Sequence, residues 1–305
     1  MLGRLAVRHK ISNDVTHQWR LTMALNYGEK LRLTIDREGI TPFIGVHDTF
    51  AASIAGRYFS GIFISGFSFA ASYYGLPDIG FIAWSDIVSF VQRVRTILPE
   101  HHIIVDIDDG YCDPEVACHV VTLLENIGAS GVILEDQQRP RKCGHYNGKQ
   151  LLGLDQYLEK LQKVIKTRSD LFVIARTDAT QEDEIFERAT AFARYGADSI
   201  LVDGIRDFDL LPKLKKSTNL PLTLSQMAGG KTPRCTLQQL REAEVSLTVY
   251  STPCLFAAQK GIDDAMQSLR DSDGLLPRPT DGSSGLVECT SLLQDNLQGR
   301  NKHGK

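Results

Sequence analysis

The chain has 305 residues, of which 42% are hydrophobic and 23% are charged, a composition typical of water-soluble globular proteins. Its formal net charge of -3 excludes the strongly basic surface that attracts nucleic acids or anionic membranes. Every apolar run is shorter than the roughly 20 residues that a membrane span requires. We therefore expect neither nucleic acid nor a membrane among the partners of this chain.

The cysteines and the first segment bear on the cellular compartment. The six cysteines show no paired Cys-x-x-Cys spacing and follow no secretory signal, so we expect reduced thiols in an intracellular protein. Residues 1–40 begin with several basic and few acidic residues, a weak similarity to an organellar transit peptide. The segment is poor in serine, however, and a helical extension of a cytoplasmic protein is the favoured interpretation.

Eight short apolar runs alternate with longer amphipathic segments after residue 40. The runs are rich in Val, Ile and Leu, as in parallel strands that are buried on both faces. We predict strands at Pro42–Val46, Gly61–Ile64, Ile103–Val105, Gly131–Leu134, Leu171–Ala175, Ser199–Val202, Pro221–Leu224 and Ser246–Val249. The clearest helical patterns are Ser85–Ile97, Pro114–Ile127, Asp155–Arg168 and Glu182–Tyr195. Helix N-caps are expected at Ser85, Asp113 and Thr236.

Eight βα units predict an α/β fold, a (β/α)8 TIM barrel, in one domain at 41–271. Residues 1–40 form an N-terminal extension with a helix in this prediction. The tail at 272–305 is rich in Ser, Gly, Asp and Pro and shows no apolar periodicity. We therefore expect it to be flexible and dispensable for folding.

Polar residues follow each predicted strand, and the C-terminal ends of barrel strands converge on one mouth. In chain order these residues are His47, Asp48, Ser65, Gly66, Asp106, Asp108, Glu135, Asp136, Arg176, Asp178, Asp203, Ser225, Gln226 and Tyr250. Any one of them is also compatible with an ordinary loop. Several carboxylates together with one arginine indicate a site for a metal and an anion.

Asp106 and Asp108 are the first candidates for metal ligands. A spacing of two residues along a strand directs both carboxylates to the same side. Carboxylate oxygens suit a hard cation such as Mg²⁺, and Glu135 at the next strand end supports this interpretation. The alternative is a solvated acidic turn that ends at Gly110. Asp109 is expected to point elsewhere and to cap the loop.

Arg139 to His145 is the most unusual string in the sequence. The Cys143 thiol is flanked by Arg141, Lys142 and His145, and a positive field of this kind lowers a thiol pKa and favours the thiolate. Such a group can exchange a proton with a carbanion. A basic surface loop with an incidental cysteine is the alternative.

Arg176 ends an apolar strand, where a buried arginine has to be paired. An internal carboxylate such as Glu135 or Asp178 and a substrate carboxylate are both compatible partners. His101 and His102 precede a strand at the opposite mouth of the barrel, so we expect them to be structural.

At these positions the chain resembles the isocitrate lyase and phosphoenolpyruvate mutase superfamily, from about residue 41 to residue 270. Several strings in the same order make the resemblance specific. They are Ser65-Gly66, Gly75-Leu76-Pro77-Asp78-Ile79-Gly80, Asp106-Ile107-Asp108-Asp109-Gly110-Tyr111, Leu134-Glu135-Asp136-Gln137, Lys142-Cys143-Gly144-His145, Ala175-Arg176-Thr177-Asp178 and Gly229-Gly230-Lys231-Thr232-Pro233.

The resemblance implies a metal site and a carboxylate site. The acidic cluster, defined here as Asp78, Asp106, Asp108 and Glu135, would hold Mg²⁺ or Mn²⁺. Ser65, Gly66 and Arg176 correspond to positions that hold a substrate carboxylate. Phe67, Asp203 and Ser225 would complete the walls of the substrate site.

The loop between Glu135 and Asp155, called the gate loop below, corresponds to a mobile gate in the family. The resemblance gives catalytic roles to Lys142, Cys143 and His145, together with Glu135, and the cysteine serves the lyases as general acid or base. Closure would bring the basic residues of the gate loop over an anionic substrate. The cysteine-containing branch includes methylisocitrate lyase, dimethylmalate lyase, the petal death protein and carboxyphosphonoenolpyruvate mutase-like sequences.

Several positions depart from the family pattern. Cys112-Asp113 replace the usual Gly-Asn pair after Tyr111. Arg141 stands where lysine is usual, and it changes the donor geometry while keeping the charge. Asp203 replaces the glutamate and Ser225 the asparagine of the lyases, and Phe67 replaces a small residue. These changes predict an altered substrate, or a weakened or lost activity.

The leading hypothesis is an Mg²⁺-dependent lyase that cleaves a 2-hydroxy di- or tricarboxylate, of the methylisocitrate or dimethylmalate kind, to an α-keto acid and a carboxylate. The alternatives are a phosphonomutase that acts on an enolpyruvyl phosphate and a non-catalytic family member. The resemblance also implies that a C-terminal helix at Pro253–Arg270 packs on a neighbouring subunit. The expected assembly is a homotetramer, built as a dimer of dimers.

Overall fold

The computed structural model describes residues 26–276 and 284–299, and its centre is a closed barrel of eight parallel strands. The strands are β1 Thr41–Val46, β2 Gly61–Ile64, β3 His102–Asp106, β4 Gly131–Glu135, β5 Phe172–Thr177, β6 Ser199–Val202, β7 Leu222–Gln226 and β8 Val245–Tyr250. Strand β1 pairs with both β2 and β8, which closes the barrel. Each strand lies within two residues of its predicted run, so the (β/α)8 prediction is confirmed.

The four helices that the sequence predicts most clearly are confirmed. All the described helices lie around the barrel. In chain order they are α1 Tyr27–Glu38, α2 Thr49–Ala55, α3 Gly66–Phe69 with a π-helical turn at Ala70–Tyr74, α4 Trp84–Ile97, α5 Pro114–Asn126, α6 Leu154–Thr167, α7 Glu182–Arg194, α8 Leu210–Thr218, α9 Leu237–Glu242, α10 Pro253–Asp271 and α11 Leu286–Leu297. In the described part of the chain, no helix combines the length and the apolar character of a membrane span.

Two of the three predicted N-caps are confirmed. Asp113 accepts a hydrogen bond from the Glu115 N–H at 2.7 Å, and Thr236 forms a capping box with Gln239. The prediction for Ser85 is wrong, because α4 begins at Trp84 after Ala83. The Trp84 ring packs edge-on against His119 of α5, with ring centroids 5.4 Å apart, and this tertiary contact outweighs the local preference for a serine cap.

The inside of the barrel explains where the functional residues lie. Alternate strand residues point inward and form a buried core, which Leu31 and Ile35 of α1 close from the N-terminal side. The strand members of this core are Phe43, Phe63, Ile104, Ile133, Phe172, Ile174, Leu201, Leu247 and Val249. Side chains repeat every second residue along a strand, so the residue two positions after a core residue lies one layer higher in the barrel. That layer is the C-terminal mouth.

Two predictions concern the ends of the chain. The transit-peptide alternative falls on residues 1–25, which lie outside the described residues. At the other end, helix α11 lies within residues 272–305, where the sequence analysis predicted no helix. Its Leu292 is buried, and its Asp295 carboxylate lies 3.6 Å from the Arg57 guanidinium. Isolated leucines in a Ser- and Gly-rich segment gave too weak a period to indicate this helix.

Candidate active site

A cavity of about 30 Å³ lies at the C-terminal mouth, above the barrel core. It brings together most of the predicted site residues. These are Ser65, Phe67, Asp78, Asp106, Cys143, His145, Arg176, Asp203 and Ser225. Gly144 of the Lys-Cys-Gly-His string also lines the cavity. The sequence analysis did not predict the other lining residues, which are Phe63, Ile133, Leu201, Met227, Val249 and Ser251. For Ser251 the signal was present, because it lies two residues after the inward-facing Val249.

Two carboxylates of the acidic cluster lie against the backbone of Gly66. A Cβ atom added to Gly66 would lie 3.2 Å from Asp108 Oδ1 and 3.3 Å from Asp106 Oδ2, so both carboxylates contact this glycine. The predicted strand geometry is wrong for Asp108, because β3 ends at Asp106. Asp108 reaches the site through a left-handed conformation with φ of 52°, which is uncommon outside glycine and is frequent at functional sites.

Arg141 lies inside the acidic cluster. Its side chain is 1% exposed, and its guanidinium forms ion pairs with Asp78, with Glu135 at 2.8 Å and with Asp108 at 3.1 Å. The expectation that closure directs Arg141 toward an anionic substrate is therefore wrong. The guanidinium points into the barrel mouth instead, where three carboxylates of the acidic cluster bind it.

Glu135 lies between two arginines, with no exposed surface on its side chain. Besides Arg141, its carboxylate pairs with Arg176 at 3.2 Å. Burial raises the pKa of Glu135 to about 7, although both arginines act in the opposite direction. Arg176 also pairs with Asp178 and with Asp203, both at 3.0 Å. Its ion pairs use Nε and Nη2, and Nη1 takes no part in them.

The gate loop is closed over this site. Its two ends are joined by hydrogen bonds such as Gln138 N–H to Gln150 O at 2.8 Å. At its tip, a Cβ atom on Gly144 would overlap Asp203 Oδ2 and would lie 2.5 Å from Arg176 Nη2. Glycine thus lets the backbone rest directly on an ion pair of the barrel. Lys149, which the sequence analysis missed, fixes the loop by donating to Gly144 O and pairing with Asp178.

Cys143 is a buried thiol in the cavity wall, 7% exposed. Burial raises its pKa to about 11, and the negative charges of Asp203 and Asp78 add to this effect. The prediction of a lowered pKa and a thiolate is therefore wrong. The basic neighbours in the sequence do not surround the sulfur, since Arg141 pairs with the acidic cluster. The thiol is protonated at neutral pH and can donate a proton.

His145 and Lys142 have different surroundings. The His145 Nδ1 accepts a hydrogen bond from the Lys231 N–H at 3.1 Å, so its neutral ring carries the proton on Nε2. Burial lowers the pKa of His145, which keeps the ring neutral. The Nε2 atom is buried without a hydrogen-bond partner in the described part of the chain. Lys142 lies outside the cavity lining, and its Nζ donates to Gly148 O at 3.1 Å.

Several predicted strand-end residues have structural roles instead. Asp48 caps α2 by accepting from the Ala51 N–H at 2.6 Å, and Asp136 pairs with Arg188 at 3.2 Å. Asp109 holds Arg139 through two hydrogen bonds of 2.9 Å, as its expected orientation away from Asp108 implies.

The carboxylates of Asp106 and Asp108 have the donor chemistry that a divalent cation requires. Both carboxylate oxygens of Asp108 are buried without a hydrogen-bond partner among residues 26–276 and 284–299, although Oδ1 lies within ion-pair distance of Arg141. Burial raises the pKa of Asp108 well above its usual range and raises that of Asp106. Unsatisfied carboxylate oxygens of this kind are the ligands that Mg²⁺ prefers. Within the same residues, no three acidic, His or Cys side chains converge into a complete ligand set. Arg141 forms ion pairs with three of the four carboxylates of the acidic cluster.

The comparison with known proteins identifies the class of enzyme that this fold and site define. The sequence model of the phosphoenolpyruvate phosphomutase family matches residues 33–270. The chain therefore belongs to this family, within the isocitrate lyase and phosphoenolpyruvate mutase superfamily of lyases and mutases.

Individual relatives include both reaction types. The 2-methylisocitrate lyase of Halalkalibacterium halodurans is 30% identical, and the match covers 80% of this chain and 82% of that protein. The chloroplastic carboxyvinyl-carboxyphosphonate phosphorylmutase of Arabidopsis thaliana is 31% identical, with coverages of 78% and 73%. A structure of oxaloacetate acetylhydrolase in complex with 3,3-difluorooxalacetate is similar with a TM-score of 0.83 at 27% identity, covering 92% of this chain and 99% of the other.

Proposed function

We propose that the protein is a divalent-metal-dependent lyase that breaks a carbon–carbon bond of a 2-hydroxy di- or tricarboxylate. Its products would be an α-keto acid and a second carboxylate. The observation that carries the proposal is one cavity at the barrel mouth that combines the protonated Cys143 thiol, the Asp78 and Asp106 carboxylates of the acidic cluster and Arg176. Similarity to a 2-methylisocitrate lyase and to the 2,3-dimethylmalate lyase of Eubacterium barkeri supports the same reaction class.

The substrate would bind through its carboxylates. Ser65 lines the cavity and is 2% exposed, and its hydroxyl accepts a hydrogen bond from the Ser68 N–H at 3.3 Å, which leaves the hydroxyl proton free to be donated to a carboxylate. Arg176 Nη1, which takes no part in the internal ion pairs, can hold a second carboxylate. The Ser225 and Ser251 hydroxyls, 3.3 Å apart, form a polar wall, and Phe67 provides an apolar one.

Asp106 and Asp108 would hold the metal ion, with Asp78 and Glu135 completing the cluster. When bound, Mg²⁺ or Mn²⁺ supplies electrostatic stabilisation to the negative charge that develops on the substrate oxygens. Asp108 supports this assignment, because its buried oxygens have no hydrogen-bond partner in the described part of the chain.

The side chains would then move two protons. Glu135 accepts the proton of the 2-hydroxyl group, and the hydroxyl oxygen forms the carbonyl of the α-keto acid. The electron pair of the broken carbon–carbon bond passes to the departing carbon, which takes the proton of the Cys143 thiol. When the gate loop opens, the proton on Glu135 returns to the thiolate through solvent. The Glu135 pKa of about 7 and the Cys143 pKa of about 11 suit an acceptor and a donor near neutral pH.

A phosphonomutase is the second candidate, favoured by the 31% identity to the phosphorylmutase of Arabidopsis thaliana. Such a reaction on an enolpyruvyl phosphate transfers phosphorus and needs no thiol proton. The non-catalytic alternative was motivated by Phe67, Asp203 and Ser225. Asp203 speaks against it, because the shorter side chain still pairs with Arg176 at 3.0 Å.

The test is a panel of substituted malates, isocitrates and phosphonates, assayed for α-keto acid release with the protein chelated and then resupplied with Mg²⁺. We expect release from at least one 2-hydroxy acid, lost on chelation and restored by the metal. Turnover of phosphonates alone would replace the lyase with the mutase. Turnover of no compound in the panel, at saturating metal, would favour the non-catalytic alternative.

A further inference from the structure

Arg141 binds the same carboxylates that would hold the proposed metal ion. Arg141 is among the largest fully buried side chains of the described residues, although it belongs to the gate loop rather than to the barrel. Its Nε lies 2.8 Å from Glu135 Oε1, and its Nη2 lies 3.1 Å from Asp108 Oδ1 and 3.4 Å from Glu135 Oε2. Its Nη1 donates to Asp78. One tethered cation thus engages three of the four carboxylates of the acidic cluster.

Arg141 does not satisfy the acidic cluster completely. Both oxygens of Asp108 lack a hydrogen-bond partner among the described residues, because the approach of Nη2 to Oδ1 has poor hydrogen-bond geometry. The other nearby cation, Arg176, is shared with Asp178 and Asp203 outside the cluster. The cluster therefore contains more carboxyl groups than guanidinium groups, and it keeps unused oxygen ligands.

We propose that Arg141 competes with the divalent metal for the acidic cluster, so that metal binding and seating of the gate loop oppose each other. The inference rests on the metal ion of the proposed function. Both cations draw on the same oxygens of Asp78, Asp108 and Glu135, and like charges a few ångströms apart repel each other. The coupling between two such binding events is reciprocal. Seating of Arg141 weakens metal binding, and the metal loosens the gate loop by the same factor.

Lysine, which is usual at this position, would compete less. A guanidinium offers five N–H donors in a rigid fork and can contact several carboxylates at once, whereas an ammonium group is a compact point charge. In this chain the fork contacts Asp78 and Glu135 together. Arg141 is thus a positioning residue that ties the state of the metal site to the state of the gate loop.

The first experiment measures Mn²⁺ affinity by electron paramagnetic resonance of the full-length protein without substrate. Arg141→Met removes the tethered cation, and we expect Mn²⁺ to bind at least about tenfold more tightly, within the usual range of such couplings. Lys142→Met is the matched control, since it removes the same charge from the adjacent residue outside the cavity, and its affinity should stay within about twofold of the wild type. Weaker binding in a folded Arg141→Met protein would overturn the proposal.

The second experiment needs no variant at the cluster. Amide hydrogen exchange of the gate loop in the wild-type protein should become faster when Mn²⁺ is added, whereas unchanged or slower exchange would contradict the proposal.

If Arg141→Met does not fold, Arg141→Lys replaces it in the affinity measurement, because lysine keeps the charge and removes the guanidinium fork. It should bind Mn²⁺ more tightly than the wild type, and equal or weaker binding would again overturn the proposal.

Mn²⁺ binding distinguishes a failure of the proposed function from a failure of the competition by Arg141. Absence of Mn²⁺ binding to the wild type and to both Arg141 variants would refute the metal-dependent function. Mn²⁺ binding with the same affinity in all variants would leave that function intact and would refute only the competition by Arg141.

Discussion

Cys143 shows how a single residue depends on its surroundings. Its sequence neighbours are basic, but burial in the folded chain raises the pKa of the thiol, and the charges of Asp203 and Asp78 outweigh that of Arg176 in the same direction as burial. A thiol with a pKa of about 11 keeps its proton until a carbanion forms beside it. The chemistry assigned to this residue is therefore general acid catalysis and not nucleophilic attack.

Replacement of Cys143 by serine tests that assignment. A serine hydroxyl has nearly the same size but is a much weaker acid, so turnover should fall roughly 10²–10⁴-fold, the usual contribution of a general acid. Binding of an α-keto acid product should change little, because Arg176 and the metal ion proposed at the acidic cluster would hold it. Steady-state kinetics and product titration would check the two parts. Full turnover in Cys143→Ser would rule out the thiol as proton donor and would favour the mutase.

At the scale of elements, the gate loop closes only because residue 144 is glycine. In Gly144→Ala the added methyl group would overlap Asp203 Oδ2, so we expect the gate loop to stay open. Turnover should fall by about 10²-fold or more, as for other misplaced catalytic groups, with little change in thermal stability. Gly153→Ala, at the end of the same loop, is the control, because its Cβ meets nothing within 4 Å. Equal turnover in both variants would show that closure does not matter.

Helix α10 leads to a proposal about assembly. None of its 19 residues is buried in the single chain, and Ile262 and Met266 are 62% and 56% exposed on one side of it. We propose that this side packs on a second subunit, as the family resemblance implies, in a dimer of dimers. Light scattering should give the mass of a tetramer, and Ile262→Asp combined with Met266→Asp should lower it. Tyr195→Asp, at an exposed hydrophobic side chain on a different part of the surface, should not lower it. A wild-type monomer would contradict the proposal.

The regular elements could be predicted from the sequence, and the closed loop could not. Asp106, Glu135 and Arg176 were found because each lies two residues after an apolar core residue, and strand alternation carries that pattern into space. The burial of Arg141 and the raised pKa of Cys143 were missed. Both depend on how the gate loop lies on the barrel. That position is set by contacts between residues distant in the sequence, which a local hydrophobic periodicity does not reveal.

At the scale of the whole molecule, the buried His102 should make the free energy of unfolding depend on pH. It is 8% exposed at the N-terminal side of the barrel, and burial lowers its pKa from 6.5 to about 4. Between these values the unfolded chain binds the proton and the folded chain does not, so stability falls as the pH falls through this window. The loss between about pH 7.5 and about pH 5 should be roughly 2 kcal/mol.

A comparison with His102→Gln isolates this contribution, since all other groups titrate equally in the two proteins. The loss of stability between the two pH values, from urea unfolding, should be smaller in the variant by that amount. Equal losses would show that His102 titrates with a similar pKa in the folded and unfolded chains.

The whole account depends on carbon–carbon cleavage with protonation of the departing carbon. The most direct measurement is nuclear magnetic resonance of the products after turnover of the best 2-hydroxy acid in D₂O. The account predicts an α-keto acid and a second carboxylate in equal amounts, with one deuterium on the carbon released by the cleavage, because the thiol proton exchanges with solvent whenever the gate loop is open. An α-keto acid formed without a carboxylate partner, or a carboxylate without deuterium at that carbon, would contradict it.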